Sequence, residues 1–385
     1  MKARDMKAPT ISVIMPTYNH AGLVAEAIES VLSQRGVDLE LLVADDGSVD
    51  GTREVVAAIR DERLRFFPNE VNRGACAVTN ELIQRASGEF IAVINSDDYW
   101  TTPDKLAGQL RVLRDKPRVG ACFGRARFVD KDGRAISKSM LPQGRVFDQR
   151  NRSRGAWLRQ FFDRGNCLCH PTMLIRKSCY DVLGVYDNRL RQLPDFDMWV
   201  RLAKRYDIHV GDDDLVAFRH LPGENASSAT TVNMGRLLNE TYFVLQAFFC
   251  GVSRDMFLDG FGDQLVMADL ADDAHMDIEQ SLLYLTTDRW SSHIYNLIGL
   301  ERIHSQLGSD AHRRILSDGY GIDDRAFHAM AAAVDTFSLE GATGALSSVG
   351  GWSLIAEVKR RAMLRAPHRL RSVVSRRPKR SSPTP

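Results

Sequence analysis

Short apolar runs that alternate with helix-period segments between residues 11 and 98 constrain the fold of this chain most strongly. The apolar runs occupy residues 11–15, 39–43, 64–67 and 90–94. Between them lie segments with apolar residues at helical spacing, at 24–32, 52–59 and 75–85. Strands joined by such helices form parallel sheets that are covered on both faces and bind ligands at the carboxyl ends of the strands. The sequence therefore predicts an α/β fold whose site lies where these strands end.

Polar loops follow three of the predicted strands, at residues 16–19, 45–48 and 95–98. The last of these loops contains two adjacent acids, Asp97 and Asp98. Carboxylates are hard oxygen ligands suited to Mg²⁺ or Mn²⁺, which bind through one or two protein carboxylates while substrate phosphates supply further oxygens. The alternative interpretation of the pair is an acidic turn or a helix cap.

The other two loops carry groups suited to a nucleotide. Asp46 could accept a hydrogen bond from the imide N–H of a pyrimidine base, while Tyr18 offers an aromatic face and Asn19 a polar side chain. A turn this rich in Gly and Asp is also typical of a tight loop that ends in a helix N-cap. Acting together, the three loops would hold base, ribose and diphosphate in sequence.

The order and spacing of these motifs resemble those of the bacterial family 2 glycosyltransferases, which have the GT-A fold: a Rossmann-like nucleotide-binding, mostly parallel sheet with an acceptor subdomain. The resemblance covers about residues 10–230 and is carried by residues 13–19, 43–52, 72–74, 88–91 and 95–98, with Asn80. It implies metal binding by Asp97 and Asp98, with Asp98 preferred as the direct ligand. Asn95 stands where many relatives have an Asp. The implied nucleotide-binding residues are Pro16, Tyr18, Asn19, Asp46, Asn72, Asn95 and Asp97.

A second part of the resemblance covers residues 194–202, which are similar to the family's Glu-Asp-aromatic-Asp-Leu-Trp segment at the start of a helix. It implies that Asp195 is the catalytic base that takes the proton from the acceptor hydroxyl. Pro194 replaces the usual Glu, and a helix cap is the alternative role for Asp195. Acceptor or phosphate contacts are implied for His170, Asp197, Arg219 and His220.

The reaction implied by the resemblance is an inverting, metal-dependent transfer of a sugar from a nucleotide diphosphate donor, with uridine diphosphate preferred, to an acceptor hydroxyl. Cell-surface polysaccharide or glycoconjugate synthesis would be its setting. A sugar nucleotidyltransferase is disfavoured because residues 16–22 do not form a Gly-rich basic phosphate loop. A catalytically inactive membrane-surface binding protein with this fold is the other alternative, although all three acids, Asp97, Asp98 and Asp195, are present.

The predicted organisation is a catalytic domain at residues 1–230, with a nucleotide-sugar half at 10–98 and an acceptor half at 99–230, followed by a helical region at 231–385. The second half of the catalytic domain is irregular in pattern. The six cysteines lack a tight repeated spacing, which suits reduced thiols. The N-terminus has no apolar signal region, and no apolar run approaches the ~20 residues of a spanning helix. These features predict a cytoplasmic protein.

The formal net charge is only +2, but ten Lys or Arg and no acid lie between residues 359 and 380. Four apolar residues at helical spacing lie before or within this basic run: Trp352, Ile355, Val358 and Ala362. The combination is consistent with peripheral binding to an anionic membrane surface, where a lipid-linked acceptor would be presented. A solvated tail is the alternative. Nucleic acid is disfavoured because no aromatic residues interleave the basic run.

Overall fold

The computed structural model describes residues 8–223, 225, 228, 230–267, 270–285 and 292–334, and the chain divides into two compact units. The first unit ends at Glu240 and the second begins at Thr241. This division lies inside a helix, ten residues beyond the boundary at 230 that the sequence suggests (240 against 230). The predicted membrane-binding tail, residues 352–380, lies outside the described residues.

The first unit combines nine strands with helices. The strands are β1 (Ile11–Thr17), β2 (Leu39–Asp45), β3 (Leu64–Pro68), β4 (Phe90–Val93), β5 (Tyr99–Trp100), β6 (Val119–Val129), β7 (Ala135–Ile136), β8 (Leu174–Arg176) and β9 (Asp207–Arg219). The helices are α1 (Val24–Leu32), α2 (Thr52–Ala58), α3 (Ala75–Arg85), α4 (Lys105–Asp115), α5 (Arg154–Arg164), α6 (Lys177–Leu183) and α7 (Pro194–Ala203), and α8 (Thr231–Gln246) crosses the unit boundary. Two 3₁₀ turns occupy Lys138–Met140 and His170–Thr172.

All nine strands belong to one sheet with the order β3-β2-β1-β4-β8-β6-β9-β5, and β7 pairs with β6. The four strands predicted between residues 11 and 98 are present and parallel, in the order β3-β2-β1-β4. Apart from the partly exposed Pro16, β1 and β2 are buried along their whole length, as expected for strands covered on both faces. The α/β class predicted from the sequence is confirmed.

The region from 99 to 230 is more regular than its sequence pattern indicates. It contains β6 and β9, strands of 11 and 13 residues that run parallel to each other. Register shifts interrupt this pairing near Phe123 and Arg125, and β9 carries three consecutive exposed acids at 212–214. These irregularities break the alternation of apolar and polar residues by which a strand is recognised, which explains why the sequence pattern did not reveal them.

The second unit is helical within the described residues, as predicted. After α8 it contains α9 (Arg254–Phe261), α10 (Asp273–Leu285), α11 (Ser292–Leu307), α12 (Asp310–Ile315), a π-helical turn (Leu316–Tyr320) and α13 (Asp324–Ala333). Its core includes Ile278, Ile303 and Leu316. In the described part of the chain, no helix combines the length and apolar character that crossing a membrane requires.

Candidate active site

The loops at the ends of β1, β2 and β4 are joined by hydrogen bonds. Asn19, in a left-handed conformation with φ of 54°, accepts a bond from the Val49 N–H at 3.0 Å and donates its own N–H to Ser48 Oγ at 2.8 Å. His20 Nδ1 lies 2.7 Å from Ser96 Oγ, in the loop that carries the acidic pair. The three predicted loops therefore meet at one edge of the sheet. His20 is a connection that the sequence did not single out.

Asp46 is held by the backbone of the segment after β3. Its two carboxylate oxygens accept the N–H groups of Arg73 and Gly74, each at 2.8 Å. Gly47 makes this approach possible, because it has a φ of 79° and a Cβ there would lie 2.8 Å from the Asn72 nitrogen. The carboxylate of Asp46 is buried and fixed in orientation, whereas the side chain of Asn72 is exposed.

The side chains around Asp46 differ sharply in exposure. Tyr18, just beyond β1, is 43% exposed and Pro16 is partly exposed. Asp45 is fully buried, and its Oδ2 accepts bonds from Arg53 Nε at 2.7 Å and from the Ser48 N–H at 3.1 Å. The Asp46 N–H donates to the Thr17 carbonyl at 2.8 Å, so the accessible Tyr18 and the fixed Asp46 carboxylate follow neighbouring strand ends, an arrangement that suits a planar, hydrogen-bonding base.

The acidic pair after β4 consists of one buried and one accessible carboxylate. Asp98 is 1% exposed, and its oxygens accept bonds from the Arg219 N–H at 2.8 Å and from Asn95 Nδ2 at 3.0 Å. Burial, and then the neighbouring charge of Asp97, raise the pKa of Asp98 well above its ordinary value. Asp97 is partly exposed and accepts a bond from Asn225 Nδ2 at 3.2 Å. A bound cation beside the pair would favour the ionised form of the buried Asp98 carboxylate.

Arg219, at the end of β9, bonds to both residues of this pair. Its guanidinium is 3% exposed, donates to the Asp97 carbonyl oxygen at 2.8 Å and to the Lys131 carbonyl oxygen at 3.2 Å, and pairs with Glu26. The guanidinium donors are thus bonded to backbone carbonyls and to Glu26 on α1, so Arg219 holds the backbone of the pair in position. His220 follows it and is partly exposed, with its backbone N–H bonded to β6.

Asp195 occupies the first turn of α7, directly after Pro194. Its Oδ2 accepts a bond from Asn166 Nδ2 at 2.7 Å, and its Oδ1 accepts the N–H of Phe196 at 2.8 Å. Burial raises the pKa of the Asp195 carboxyl to about 6. A carboxylate with a pKa near neutrality is suited to proton transfer. Asn166, which follows the glycine that ends α5, could not be recognised from the sequence because 29 positions separate it from Asp195.

The His170–Thr172 turn lies between the acidic pair and α7. His170 Nε2 is 2.8 Å from the Tyr186 hydroxyl, and its ring centroid is 5.7 Å from that of Trp199 on α7. From the other side, Trp100 Nε1 donates to the Pro171 carbonyl at 3.1 Å. Burial lowers the pKa of His170 to about 4, so the ring is neutral at physiological pH. His170 therefore offers phosphate no positive charge.

The thiol of Cys169, directly before this turn, is buried. Burial, together with the nearby carboxylates of Asp98 and Asp195, raises the pKa of Cys169 well above its ordinary value. The Oδ2 of Asp197 pairs with Arg201, one helical turn further along α7, at 2.6 Å. Within the described residues, no disulfide and no group of three or more His, Cys, Asp or Glu suited to a metal ion is found.

Comparison with known proteins places these features in a family. The sequence model described as Glycosyl transferase family 2 matches residues 12–183. A colanic acid biosynthesis glycosyl transferase, WcaA of Escherichia coli K12, described as putative, is 42% identical over 207 residues, which are 51% of this chain and 67% of WcaA. The E. coli enzyme WfgD, named a UDP-Glc:alpha-D-GlcNAc-diphosphoundecaprenol beta-1,3-glucosyltransferase, is 35% identical over 133 residues. That match covers 34% of this chain and about half of WfgD (51%).

A solved structure has a similar fold. The crystal structure of S. aureus TarS 1-349 in complex with UDP-GlcNAc superposes with a TM-score of 0.54 over 84% of this chain and 87% of that one, at 19% sequence identity. The GT-A architecture predicted from the motifs is thereby confirmed. The chain belongs to glycosyltransferase family 2.

Proposed function

We propose that this protein transfers a sugar from a nucleoside diphosphate donor to an acceptor hydroxyl with inversion, using a divalent cation and Asp195 as base. The observation that carries the proposal is that the His170–Thr172 turn joins the two halves. Trp100, two residues after Asp98, donates to the Pro171 carbonyl at 3.1 Å, and the His170 ring lies 5.7 Å from that of Trp199 on α7, the helix that also carries Asp195. The proposed site for the leaving diphosphate and the proposed base would therefore lie on either side of one turn.

The donor half of the site would bind the nucleotide. Tyr18 supplies the accessible ring on which a base stacks, and Asp46 supplies a fixed acceptor for an N–H of the base. Uridine diphosphate is the preferred carrier. Pro16, Asn19 and Asn72 line the neighbouring loops.

The acidic pair fits Mn²⁺ or Mg²⁺, because these ions use one or two protein carboxylates and leave the other positions to water and phosphate oxygens. The absence of a larger cluster in the described residues is compatible with that chemistry. We favour Asp97 as the direct ligand over Asp98, since Asp97 is partly exposed and the oxygens of Asp98 are engaged by Arg219 and Asn95. When bound, the cation would neutralise charge on the departing diphosphate.

Asp195 would remove the proton from the acceptor oxygen as that oxygen attacks the anomeric carbon. The new C–O bond forms on the face opposite the departing diphosphate, so an α-linked donor gives a β-linked product without a covalent sugar-enzyme intermediate. Asn166 orients this carboxylate by donating to Oδ2, while Oδ1 accepts the N–H of Phe196.

Polysaccharide or glycoconjugate synthesis on a lipid-linked acceptor is the setting that we propose. The names of WcaA and WfgD support it, since the first refers to colanic acid biosynthesis and the second to a diphosphoundecaprenol acceptor. The basic tail would add peripheral contact with an anionic membrane, at ~1 kcal/mol per engaged Lys or Arg. Flotation with anionic liposomes at low and high salt, comparing the full chain with a truncation after Gly350, tests the tail by itself.

The proposed reaction is tested by a donor screen. Purified protein is incubated with UDP-, dTDP- and GDP-sugars with Mn²⁺, Mg²⁺ or excess chelator, and release of the nucleoside diphosphate is measured with and without lipid-linked acceptors. Metal-dependent release from one donor class, stimulated by acceptor, is expected. Release of pyrophosphate from a nucleoside triphosphate and a sugar phosphate would instead identify a nucleotidyltransferase.

A further inference from the structure

A buried carboxylate on α8 reaches back to the segment that precedes the candidate base. Glu240 is 6% exposed, and its oxygens accept three consecutive backbone N–H groups. The donors are Arg191 at 2.9 Å, Gln192 at 2.7 Å and Leu193 at 2.8 Å. Between 47 and 49 sequence positions separate the partners. One side chain thus fixes three successive peptide units.

These peptide units form the entry to α7. Leu193 is the N-cap residue of this helix and has no side chain that could cap it, while Pro194 at the first position carries no N–H. The start of a helix favours a nearby negative charge, and Glu240 places its carboxylate against the three peptide units that lead into α7. These three bonds tie the segment before α7 to α8.

The contact acts on Asp195 through a short covalent path. The Leu193 N–H is bonded to Glu240, and the Leu193 carbonyl accepts the N–H of Asp197 at 3.0 Å. The peptide units on both sides of Leu193 are therefore held, and Asp195 lies only two residues further along the chain. A shift of Leu193 would move the carboxylate of Asp195 relative to Asn166.

Two residues that precede α8 also contact the acidic pair. Arg219 and Asn225 contact Asp97, and α8 then carries Glu240 to the entry of α7. We propose that Glu240 is a positioning residue for Asp195, so that α8 aligns the base through the three peptide units before α7. This inference rests on the proposed function and adds to it a residue outside the segments that resemble the family.

Positioning and mere structural support make different predictions for Glu240→Gln. The amide retains one oxygen acceptor but turns an NH₂ group towards backbone donors, so the entry to α7 should shift. A misplacement of about 1 Å costs up to ~10²-fold in rate. We therefore expect kcat with acceptor to fall about 10- to 100-fold, with an unchanged Kd for the nucleoside diphosphate with Mn²⁺ in calorimetry.

Matched controls separate this effect from loss of stability. Glu279 is another buried glutamate, which accepts the N–H groups of Val266 and Met267 and the Tyr320 hydroxyl in the helical unit. Glu279→Gln makes the same chemical change away from α7 and should lower Tm while leaving kcat unchanged. Asn239→Ala, at the exposed position beside Glu240, should change neither quantity.

The experiment is done on the full chain, and kcat is expressed per nucleotide-binding site counted by calorimetry. A wild-type kcat for Glu240→Gln, whatever its Tm, would overturn the positioning role, as would an equal loss of kcat in Glu279→Gln. Should Glu240→Gln not fold, Glu240→Asp, which retains the charge on a shorter arm, is judged by the same criterion. The proposed function itself fails only when the wild-type chain transfers no sugar.

Discussion

The donor half at residues 10–98 and the acceptor half that follows place their site residues by different means. In the donor half, the candidate residues lie directly after β1, β2 and β4, three neighbouring parallel strands, so the sheet itself brings them together. In the acceptor half they lie on a 3₁₀ turn, at the start of α7 and at the end of β9. Side-chain hydrogen bonds across long sequence separations, such as Asn166 to Asp195, hold them there.

This difference has an energetic consequence. Asp46 follows a strand of the main sheet, in which β1 and β2 are buried and resist local displacement, and the N–H groups of Arg73 and Gly74 fix its carboxylate. Asp195 depends on a few polar contacts of about 1 kcal/mol net each. Substitutions that remove a contact of Asp195 should therefore affect turnover and leave nucleotide binding unchanged, whereas loss of the Tyr18 ring should weaken nucleotide binding.

The largest effect is expected for Asp195→Asn. The change retains shape and removes the base, so turnover with acceptor should fall by ~10²–10⁴-fold while donor affinity is preserved. Asp197→Asn is the matched control, because that carboxylate pairs with Arg201, and its turnover should stay within a few-fold of wild type. Near-normal transfer by Asp195→Asn would show that another group is the base.

The second largest effect concerns the acidic pair. Asp97→Asn should reduce metal-dependent turnover by about 10²-fold, since the cation would lose an accessible anionic ligand. Asp98→Asn keeps an oxygen for the Arg219 N–H and should lower turnover less. Titration of nucleotide binding with Mn²⁺ in both variants measures the difference. A larger loss of metal affinity in Asp98→Asn would restore Asp98 as the direct ligand, and full wild-type activity in excess chelator would remove the metal role.

The difference between the donor and acceptor halves also explains which site residues the sequence could predict. A period-2 or period-3.6 pattern followed by a polar loop identifies a strand end, so Tyr18, Asp46 and the acidic pair could be located from the sequence alone. The resemblance to the family then supplied Asp195. Asn166 and Glu240 carry no such local signal, because a lone Asn after a helix or a lone Glu in one is usually solvated.

Some roles needed the folded environment to be assigned. The resemblance to the family implies that Arg219 and His170 contact the acceptor or the donor phosphates. In the structure, Arg219 is buried and bonded to backbone carbonyls, and burial lowers the pKa of His170 to about 4. Charge state and partner choice both depend on burial, which is set by residues far away in the sequence.

A smaller effect is expected in the donor half for Tyr18→Ala. The ring is 43% exposed and leaves the sheet intact when removed, so stability should hardly change. Stacking of an aromatic side chain on a base contributes ~1–3 kcal/mol, which corresponds to a loss of about 5- to 150-fold in nucleotide affinity. Calorimetry with the free diphosphate measures it, and Tyr18→Phe should bind almost as well as wild type. Equal affinity for Tyr18→Ala would exclude stacking.

The smallest effect is predicted for Asn166→Ala, and it appears in the pH profile. The base must be ionised, and burial holds the pKa of Asp195 at about 6, so wild-type kcat should fall about tenfold per pH unit below 6. The bond from Asn166 favours the ionised form and lowers that pKa. Its loss should therefore raise the pKa and move the acidic limb to higher pH, which reduces activity several-fold near pH 6.5 and little at pH 8.5.

The neighbours of Asp195 sharpen this last test. The pKa values of the Cys169 thiol and the Tyr186 hydroxyl are raised well above their ordinary values, and that of His170 is lowered to about 4, so these three groups stay neutral through the acidic limb. The profile is measured at saturating Mn²⁺, so that metal occupancy does not change with pH, and the side chain of Asn166 bonds to Asp195 and to the Leu168 N–H. A limb that moves in Asn166→Ala under these conditions belongs to Asp195, whereas an unmoved limb with uniformly lower kcat would show that Asn166 only orients the carboxylate.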